Sequence, residues 1–164
     1  MSGWDEISIR EIRLSDFERL KGFLERNNTP ETIRHFHPFP LTAETARWIT
    51  TVPRRDRYYL ALCRKQVIGL CMLRGWDEGF AVPSFGIVVG REFHSKGIGR
   101  IITEYAMKEA KKLCCKQVRL SVYASNISAY NTYISMGFKE TNREVVEING
   151  EKDEKIIMDK DLGY

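Results

Sequence analysis

The sequence has few of the features that mark membrane, secreted or metal-binding proteins. No apolar run approaches the ~20 residues that a membrane helix needs, and the acidic N-terminus, Met1 to Glu6, lacks the apolar core of a secretory signal. The four cysteines form no CxxC pair, and His35 and His37 have no cysteine or carboxylate beside them at zinc-ligand spacing. We therefore expect a cytoplasmic protein with reduced thiols, no metal site and no membrane partner.

The chain also lacks repeats, low-complexity stretches and a strong charge imbalance. Its 164 residues predict one domain, residues 1–164. Hydrophobic content of 43% and charged content of 29% exclude a disordered tail, a fibre or a solenoid. The 26 Lys and Arg against 22 Asp and Glu leave a net charge of only +4, which fits an anionic small molecule at least as well as nucleic acid.

Hydrophobic periodicity predicts strands and helices without strict alternation. Strands are expected at residues 7–14, 58–63, 67–73, 84–89, 117–123, 138–148 and 155–160, and helices at residues 15–26, 31–36, 42–51, 97–113 and 128–136. Ser15 and Glu18 predict a capping box at the start of the first helix, and Asn149-Gly150 predicts a tight turn. This order favours an α+β fold around a mixed sheet over a doubly wound parallel fold.

A glycine-rich turn, His94-Ser95-Lys96-Gly97-Ile98-Gly99-Arg100, connects a predicted strand to the longest predicted helix. The first amides of a helix have no internal partner and lie at the positive end of the helix dipole. Gly97 and Gly99 lack Cβ atoms, so a phosphate can approach the backbone, and Lys96 and Arg100 add positive charge. The spacing matches neither the P-loop nor the dinucleotide fingerprint. An ordinary turn before a helix is the alternative.

This turn resembles the [QR]-x-x-G-x-[GA] pyrophosphate loop of the GCN5-related N-acetyltransferases, the GNAT superfamily, with His94 where glutamine or arginine is usual. Residues 126–138 are similar to the N-x-x-A-x-x-x-Y-x-x-x-G-F signature of the same family, at the expected distance. The resemblance implies a mixed α+β domain. Its mostly antiparallel twisted sheet of about seven strands would be splayed between two parallel central strands and flanked by about four helices.

The resemblance also implies that acetyl-CoA lies between the splayed strands, here residues 84–89 and 117–123. Backbone groups near Ile87 and Val89 would pair with the pantetheine arm, and the amides of the glycine-rich turn would hold the pyrophosphate. The implied cofactor-binding residues are Ile87, Val88, Val89, His94, Ser95, Lys96, Gly97, Ile98, Gly99, Arg100, Asn126 and Tyr130. Asn126 matches the asparagine that hydrogen-bonds the cofactor arm, although it could equally cap the next helix.

Tyr133 occupies the tyrosine position of the second motif, which implies a catalytic role as general acid. Acyl transfer expels a thiolate whose thiol has a pKa near 8.5, and a phenol with a pKa of about 10 can protonate it if the hydroxyl reaches the sulfur. Without the motif, Tyr133 would be interpreted as a packed aromatic residue on an amphipathic helix. Tyr130 is the runner-up and could line the cofactor site.

The sequence identifies no general base. Many family members carry a glutamate on the strand before the pyrophosphate loop, but residues 82–87 hold no acid. Ser84 could hold a water molecule, and Asp77 or Glu78 in the preceding loop could serve instead. A weakly basic amine would need no strong base, so the question stays open.

The resemblance places the acceptor pocket between the first two helices and the later hairpin, around residues 35–40, with Trp76 and Arg143 nearby. Aromatic rings there could embrace a sugar ring or an alkylammonium group, or could form a hydrophobic clasp over the core. The candidate substrate-binding residues are His37, Phe39, Trp76, Glu78 and Ser84.

Taken with the motifs, the sequence predicts an acetyl-CoA-dependent N-acetyltransferase acting on a small primary amine such as an amino sugar, polyamine or amino acid. The amine would attack directly in a ternary complex, because Cys114 and Cys115 lie outside the motifs and are poor candidates for an acyl carrier. The alternatives are a protein N-terminus or lysine as acceptor, an acyl-CoA sensor without catalysis, and a nucleic-acid module, which we do not expect. The resemblance is compatible with a homodimer.

Overall fold

The computed structural model describes residues 6–52 and 54–163. The prediction that the N-terminus is not a secretory signal therefore falls mostly on residues outside the described ones, Met1 to Asp5. The strands are β1 (Ile7–Glu11), β2 (Arg57–Cys63), β3 (Gln66–Arg74), β4 (Ser84–Val89), β5 (Gln117–Tyr123), β6 (Lys139–Ile148) and β7 (Glu151–Asp161). The α helices are α1 (Phe17–Arg26), α2 (Pro30–His35), α3 (Ala43–Thr51), α4 (Ile98–Lys112) and α5 (Ile127–Ser135).

The seven strands form one sheet in the order β1-β2-β3-β4-β5-β7-β6. Neighbours are antiparallel except β4 and β5, which are parallel. This central pair is in register only at Ser84 and Arg119, where the Arg119 N–H donates to the Pro83 carbonyl at 2.9 Å. The structure therefore confirms the predicted mixed α+β class, the mostly antiparallel sheet and the separation of its two parallel central strands.

Both faces of the sheet are covered by helices. Strand β2 shows how the sequence achieves this, because Tyr58 and Leu60 pack with α1 and α3 while Tyr59 and Ala61 pack with α4. Gly69 on β3 allows the close approach of α4, since a Cβ there would lie 2.6 Å from Ile102 Cδ1. The periodicity predicted five helices, as the structure has, whereas the family resemblance implied about four; α2 corresponds to the helix predicted at residues 31–36.

The start of the first helix differs from the prediction. Ser15 does not cap α1, because residues 14–16 form a short 3-10 turn before it. Asp16 accepts the Arg13 N–H at 2.7 Å and receives two bonds from the Arg10 guanidinium at 2.7 and 2.8 Å. The predicted strand to Leu14 and the Ser15–Glu18 capping box are therefore wrong. The ion pair with Arg10 holds Asp16 in place at the corner between β1 and α1.

Candidate active site

A cleft of about 640 Å³ opens where β4 and β5 separate. Its walls are those two strands, the N-terminus of α4, one side of α5 and the segment that ends α2. A gap between parallel strands at the middle of a sheet exposes backbone hydrogen-bonding groups that would otherwise pair with each other.

The backbone of β4 presents unpaired groups to this gap. Gly90 donates its N–H to the Ile68 carbonyl of the neighbouring chain segment at 2.8 Å, so Gly90 faces β3. Backbone groups of successive residues point to opposite sides of a strand. Those of Ile87 and Val89 therefore point away from β3 and towards β5, which pairs with β4 only at Ser84. An extended ligand arm can add at this edge as a further strand.

One end of the cleft is the N-terminus of α4, where the helix begins after Gly97 with a φ of 78°. No side chain caps the helix, and its first internal bond runs from the Ile101 N–H to the Gly97 carbonyl at 3.2 Å. The amides of Ile98, Gly99 and Arg100 consequently have no helical acceptor. Amides of this kind at the positive end of a helix dipole bind phosphate groups.

The two glycines of this turn serve different purposes. Gly97 adopts a left-handed conformation that other residues rarely take. Gly99 lies inside the helix, and a Cβ there would meet only Val89 Cγ2 at 3.9 Å, which is ordinary contact. Packing within the protein therefore does not require glycine at 99. The free space over its amide is available to a ligand.

Two charged or polar side chains of the turn are engaged within the protein. His94 Nε2 lies 2.9 Å from the Val89 carbonyl, which ties the turn to the end of β4. Arg100 donates to Ser135 Oγ of α5 at 2.8 Å and lies 3.3 Å from Glu104. Both line the cleft, as does Ser95, whereas the lining does not include Lys96.

Tyr133 lines the middle of the cleft from α5 and is 8% exposed. Its ring packs edge-on against Phe85 and Phe138, with ring centres 6.4 and 5.7 Å away. Burial raises the pKa of the Tyr133 hydroxyl above its usual value, so the phenol keeps its proton at neutral pH. The residue is thus a packed aromatic that also lines the cleft and keeps its phenolic proton.

Asn126 and Tyr130, the other two candidates within residues 126–138, lie in different places: only Asn126 lines the cleft. Asn126 stands at the N-cap position of α5 but makes no side-chain capping bond, and it lines the cleft. Its amide is therefore available to a ligand. Tyr130 is not part of the lining, since its hydroxyl donates to Glu140 on β6 at 3.3 Å.

The candidate acceptor residues are distributed over three places. His37 and Ser84 line the cleft. Glu78 lines an adjoining cavity of about 190 Å³ that shares Pro38 and Ser84 with the cleft. Phe39 packs against the hydrophobic core on the α1 and α3 side of the sheet, and Trp76 packs against the core on the α4 side, as the hydrophobic-clasp alternative expects.

Asp77, a loop acid that the sequence offered as a possible base, is hydrogen-bonded to backbone N–H groups. Asp77 accepts the N–H groups of Arg55 and Asp56 at 2.7 and 3.3 Å, and these bonds hold the pKa of its carboxyl below the usual value. This carboxylate fixes the loop before β2, and it does not line the cleft. Arg143, the other charged residue considered, binds Glu140 at 2.6 Å.

The sequence did not predict the hydrogen-bonded set of polar side chains at the end of β5. His37 Nδ1 lies 2.7 Å from the Tyr123 hydroxyl, and His35 Nε2 lies 2.9 Å from Ser125 Oγ. Ser125 in turn donates to the buried Asp153 of β7 at 2.5 Å. The available signal was the position of Tyr123 and Ser125 directly before the motif residue Asn126.

The cleft carries a one-sided set of charges. Among the described residues, no aspartate or glutamate lines it. The titratable residues that do are His35, His37, His94, Arg100, Tyr123, Tyr133 and Lys155. The charged side chains among them are the cations Arg100 and Lys155, so the lining favours an anionic ligand over a cationic one.

A sequence model of the acetyltransferase (GNAT) family matches residues 9–138, and the chain belongs to this family. GNAT acetyltransferases use acetyl-CoA as cosubstrate and an amine as acceptor. The match spans both motifs and most of the sheet, including the open amides of α4 and the splayed strands.

Solved structures with the same fold include proteins with different acceptors. An N-acetyltransferase from Staphylococcus aureus Mu50 has 17% identity and a TM-score of 0.80, covering 96% of this chain and 99% of its own. A spermidine/spermine N-acetyltransferase from Vibrio cholerae has 18% identity and a TM-score of 0.77, with coverage of 96% and 95%. The ribosomal-protein-S18-alanine N-acetyltransferase from Escherichia coli has 19% identity and a TM-score of 0.74, with coverage of 96% and 95%. At these identities, the likeness shows the fold.

Within residues 6–52 and 54–163, no group of three or more His, Cys, Asp and Glu side chains could hold a metal ion. None of the described helices is both long enough and apolar enough to cross a membrane. The four cysteines are free thiols, and Cys114 is exposed where the sequence predicted buried thiols.

Proposed function

We propose that this protein is an acetyl-CoA-dependent N-acetyltransferase that transfers the acetyl group to a primary amine of a small molecule in a ternary complex. The proposal includes one domain over residues 1–164. It also includes a cytoplasmic location, which the four free thiols favour.

The observation that carries this proposal is the continuous cleft from the open amides of α4 to the buried hydroxyl of Tyr133. Its length suits a ligand with a phosphate at one end and a reactive group at the other. The backbone of Ile87 and the N–H of Val89, which face the gap, lie between the two, while the Val89 carbonyl is bound by His94. The space over Gly99 and the uncapped helix fit a pyrophosphate.

In this proposal each residue has a stated chemical task. Acetyl-CoA supplies an acetyl thioester as substrate. The reaction forms an amide C–N bond and breaks the thioester C–S bond, so nitrogen loses a proton and sulfur gains one. Tyr133 donates the proton to the departing sulfur, and the amides of Ile98, Gly99 and Arg100 neutralise the pyrophosphate charge. Asn126 hydrogen-bonds the cofactor arm.

An amine panel tests the proposal. The protein is incubated with acetyl-CoA and with small monoamines, polyamines, amino acids, amino sugars and a peptide with a free N-terminus. CoA release is measured by chromatography, because the exposed thiol of Cys114 would react with thiol reagents. We expect amine-dependent release with at least one small amine.

Two outcomes would contradict the proposal in different ways. Turnover of the peptide alone would assign a protein amine as acceptor, the reaction named for the Escherichia coli neighbour. Tight binding of acetyl-CoA with no amine-dependent release would make the protein an acyl-CoA sensor.

A further inference from the structure

We propose that His35 is the general base that takes the proton from the acceptor amine, and that Ser125 and Asp153 are positioning residues that keep its Nδ1 free for this task. The proposal rests on the proposed acetyltransferase function. It names a base for a chain whose cleft, among the described residues, is lined by no carboxylate.

The chain of hydrogen bonds begins at Asp153, which is 8% exposed. Its carboxylate accepts the N–H groups of Ser125 and Glu154 at 3.2 and 2.8 Å and lies 3.6 Å from the Arg34 guanidinium. These donors stabilise the ionised form and lower the pKa of Asp153. An ionised carboxylate only accepts hydrogen bonds. The Ser125 hydroxyl must therefore donate to it, as the 2.5 Å contact indicates.

This direction fixes the tautomer of His35. A serine hydroxyl has one proton, and Ser125 uses that proton on Asp153. The 2.9 Å contact between Ser125 Oγ and His35 Nε2 must then be donated by the imidazole. Neutral His35 therefore carries its proton on Nε2, and Nδ1 holds a lone pair. No bond to Nδ1 is formed among the described residues.

The position of His35 suits proton abstraction. The ring is half-buried, lines the cleft and stacks over Tyr123 with ring centres 6.2 Å apart. Ser84 and Tyr133 line the same cleft as His35, so in this proposal the base and the acid act within one cleft.

His37 is less suited to the task. It is exposed, and its contact with the Tyr123 hydroxyl does not fix a tautomer, because a phenol can donate or accept. Within the described part of the chain, no carboxylate is hydrogen-bonded to the Tyr123 hydroxyl, whereas the imidazolium of His35 would be stabilised through Ser125 by Asp153.

The charges around His35 come from four elements. They are Arg34 on α2, His37 in the following segment, Tyr123 on β5, and Asp153 and Lys155 on β7. Desolvation first, and then Arg34 and His37, lower the pKa of His35 below its usual value, while Asp153 opposes them. His35 is consequently neutral at pH 7, as a base must be.

The proton transfer balances within the overall reaction. The ammonium of the acceptor gives one proton to His35 Nδ1 and becomes the free amine, whose nitrogen electron pair forms the bond to the acetyl carbon. The C–S pair leaves with sulfur, which takes the Tyr133 proton. The attacking nitrogen loses its second proton as the amide forms, and that proton returns to the Tyr133 phenolate through solvent. The His35 imidazolium then releases its proton to solvent, so that both groups are restored.

The first test uses nitrogen-15 NMR of the unliganded protein and is independent of activity. The three histidines are assigned with single glutamine variants. His94 serves as the internal reference, since the Val89 carbonyl can only accept and fixes its proton on Nε2. We expect neutral His35 to show the same single tautomer, and Ser125→Ala to return it towards a mixture while His94 is unchanged. A proton on Nδ1 of His35 in the wild type would overturn the proposal.

The second test compares pH profiles of kcat/KM with the amine identified by the panel. The wild type should lose activity as the pH falls below about 6.5, with a midpoint equal to the pKa of His35 from NMR. His35→Gln should lower kcat/KM at pH 7 by about 100-fold and abolish this acidic limb. His37→Gln, the matched variant, should retain the limb whatever its effect on KM.

The two tests separate the two proposals. A limb that persists in His35→Gln rejects the base role and leaves the acetyltransferase function standing. A wild type that turns over no amine rejects both. A parallel shift of the kinetic midpoint and the NMR pKa in Ser125→Ala supports the positioning role, since a purely structural residue would not move them together.

Discussion

Tyr133 owes its proposed chemistry to the residues around it. Phe85 and Phe138 hold the ring from two sides, and burial keeps the phenol protonated. Because the hydroxyl makes no hydrogen bond among the described residues, its removal should cost little stability.

For Tyr133→Phe, we therefore expect kcat to fall about 100-fold while the melting temperature and acetyl-CoA affinity stay near wild type. Steady-state kinetics, calorimetry and a thermal melt measure the three quantities. An unchanged kcat in a variant whose chemical step is rate-limiting would remove Tyr133 from the mechanism.

The protonation of Tyr133 also predicts an alkaline limit. The raised pKa moves ionisation of the phenol above its ordinary value of about 10, so the acid form persists throughout the neutral range. Wild-type kcat should therefore show no loss assignable to Tyr133 below about pH 10. A drop between pH 7 and 9 that is absent in Tyr133→Phe would contradict this.

Gly99 offers a clean test of the phosphate site. A Cβ at this helical position meets the protein only at 3.9 Å, so Gly99→Val should fold. The isopropyl group is larger than the alanine that the family motif accepts here and would stand where a pyrophosphate approaches the amides, so the Kd for acetyl-CoA should rise at least ~10-fold, about 1.4 kcal/mol.

The control for this variant is Gly22→Val on α1, where a Cβ meets only the flexible end of Arg26 at 3.1 Å. It makes the same chemical change away from the cleft. Isothermal titration of both variants compares their affinities. Equal affinities for the two would mean that the turn is an ordinary connection.

At the scale of single residues, the sequence indicated the features that depend only on residues near one another along the chain. The motif residues Gly99, Asn126 and Tyr133 line the cleft. The contacts of His35 and Ser125 were out of reach, because they depend on sheet register. Strand β7 carries Asp153 beside the end of β5 through the pairing of Tyr123 with Lys155. Such long-range pairing leaves no periodic signal in the sequence.

At the scale of elements, β4 and β5 were predicted with the bounds that the structure gives. Strand β4 is a short, mostly apolar run and β5 alternates polar and apolar residues, and both patterns are clear strand signals. The corner between β1 and α1 was predicted wrongly. The local capping signal of Ser15 lost to an ion pair between Arg10 and Asp16, which only the folded corner brings together.

That corner predicts a pH-dependent contribution to stability. Asp16 is 1% exposed, and its bonds to Arg10 and then to the Arg13 N–H lower its pKa. Asp16→Asn should lower the free energy of unfolding at pH 7 by about 2 kcal/mol. A depressed carboxyl pKa stabilises the fold above the unfolded value of about 3.9 and loses this effect as the pH falls.

Urea denaturation at pH 7 and at pH 3 checks this expectation, because the difference between wild type and Asp16→Asn should shrink at the lower pH. Glu18→Gln, at the acid of the predicted Ser15–Glu18 capping box, is the matched variant and should have a smaller effect at pH 7. A larger loss from Glu18→Gln would restore the capping-box interpretation.

At the scale of the whole molecule, the net charge of +4 says little, but its distribution is informative. The cleft is lined by histidines, Arg100 and Lys155 and, among the described residues, by no acid. A polycationic acceptor would find no partner for its second charge there. The polyamines considered from the sequence are thus disfavoured relative to neutral or acidic amines.

We expect kcat/KM for amino acids or neutral monoamines to exceed that for spermidine by at least ~10-fold in the amine panel, about 1.4 kcal/mol of discrimination. Lys155→Glu should narrow this difference by placing an acid at the cleft. A wild-type preference for spermidine would contradict the electrostatic argument.

The separation of β4 and β5 has a consequence for aggregation. A sheet normally has two outer edges, here β1 and β6, where another chain can add by backbone pairing. The gap creates two more edges inside the molecule, recessed between α4 and α5, which a narrow, single extended arm can enter more readily than a second protein. The protein can thereby keep a sticky strand edge ready for its ligand without offering that edge to its own copies.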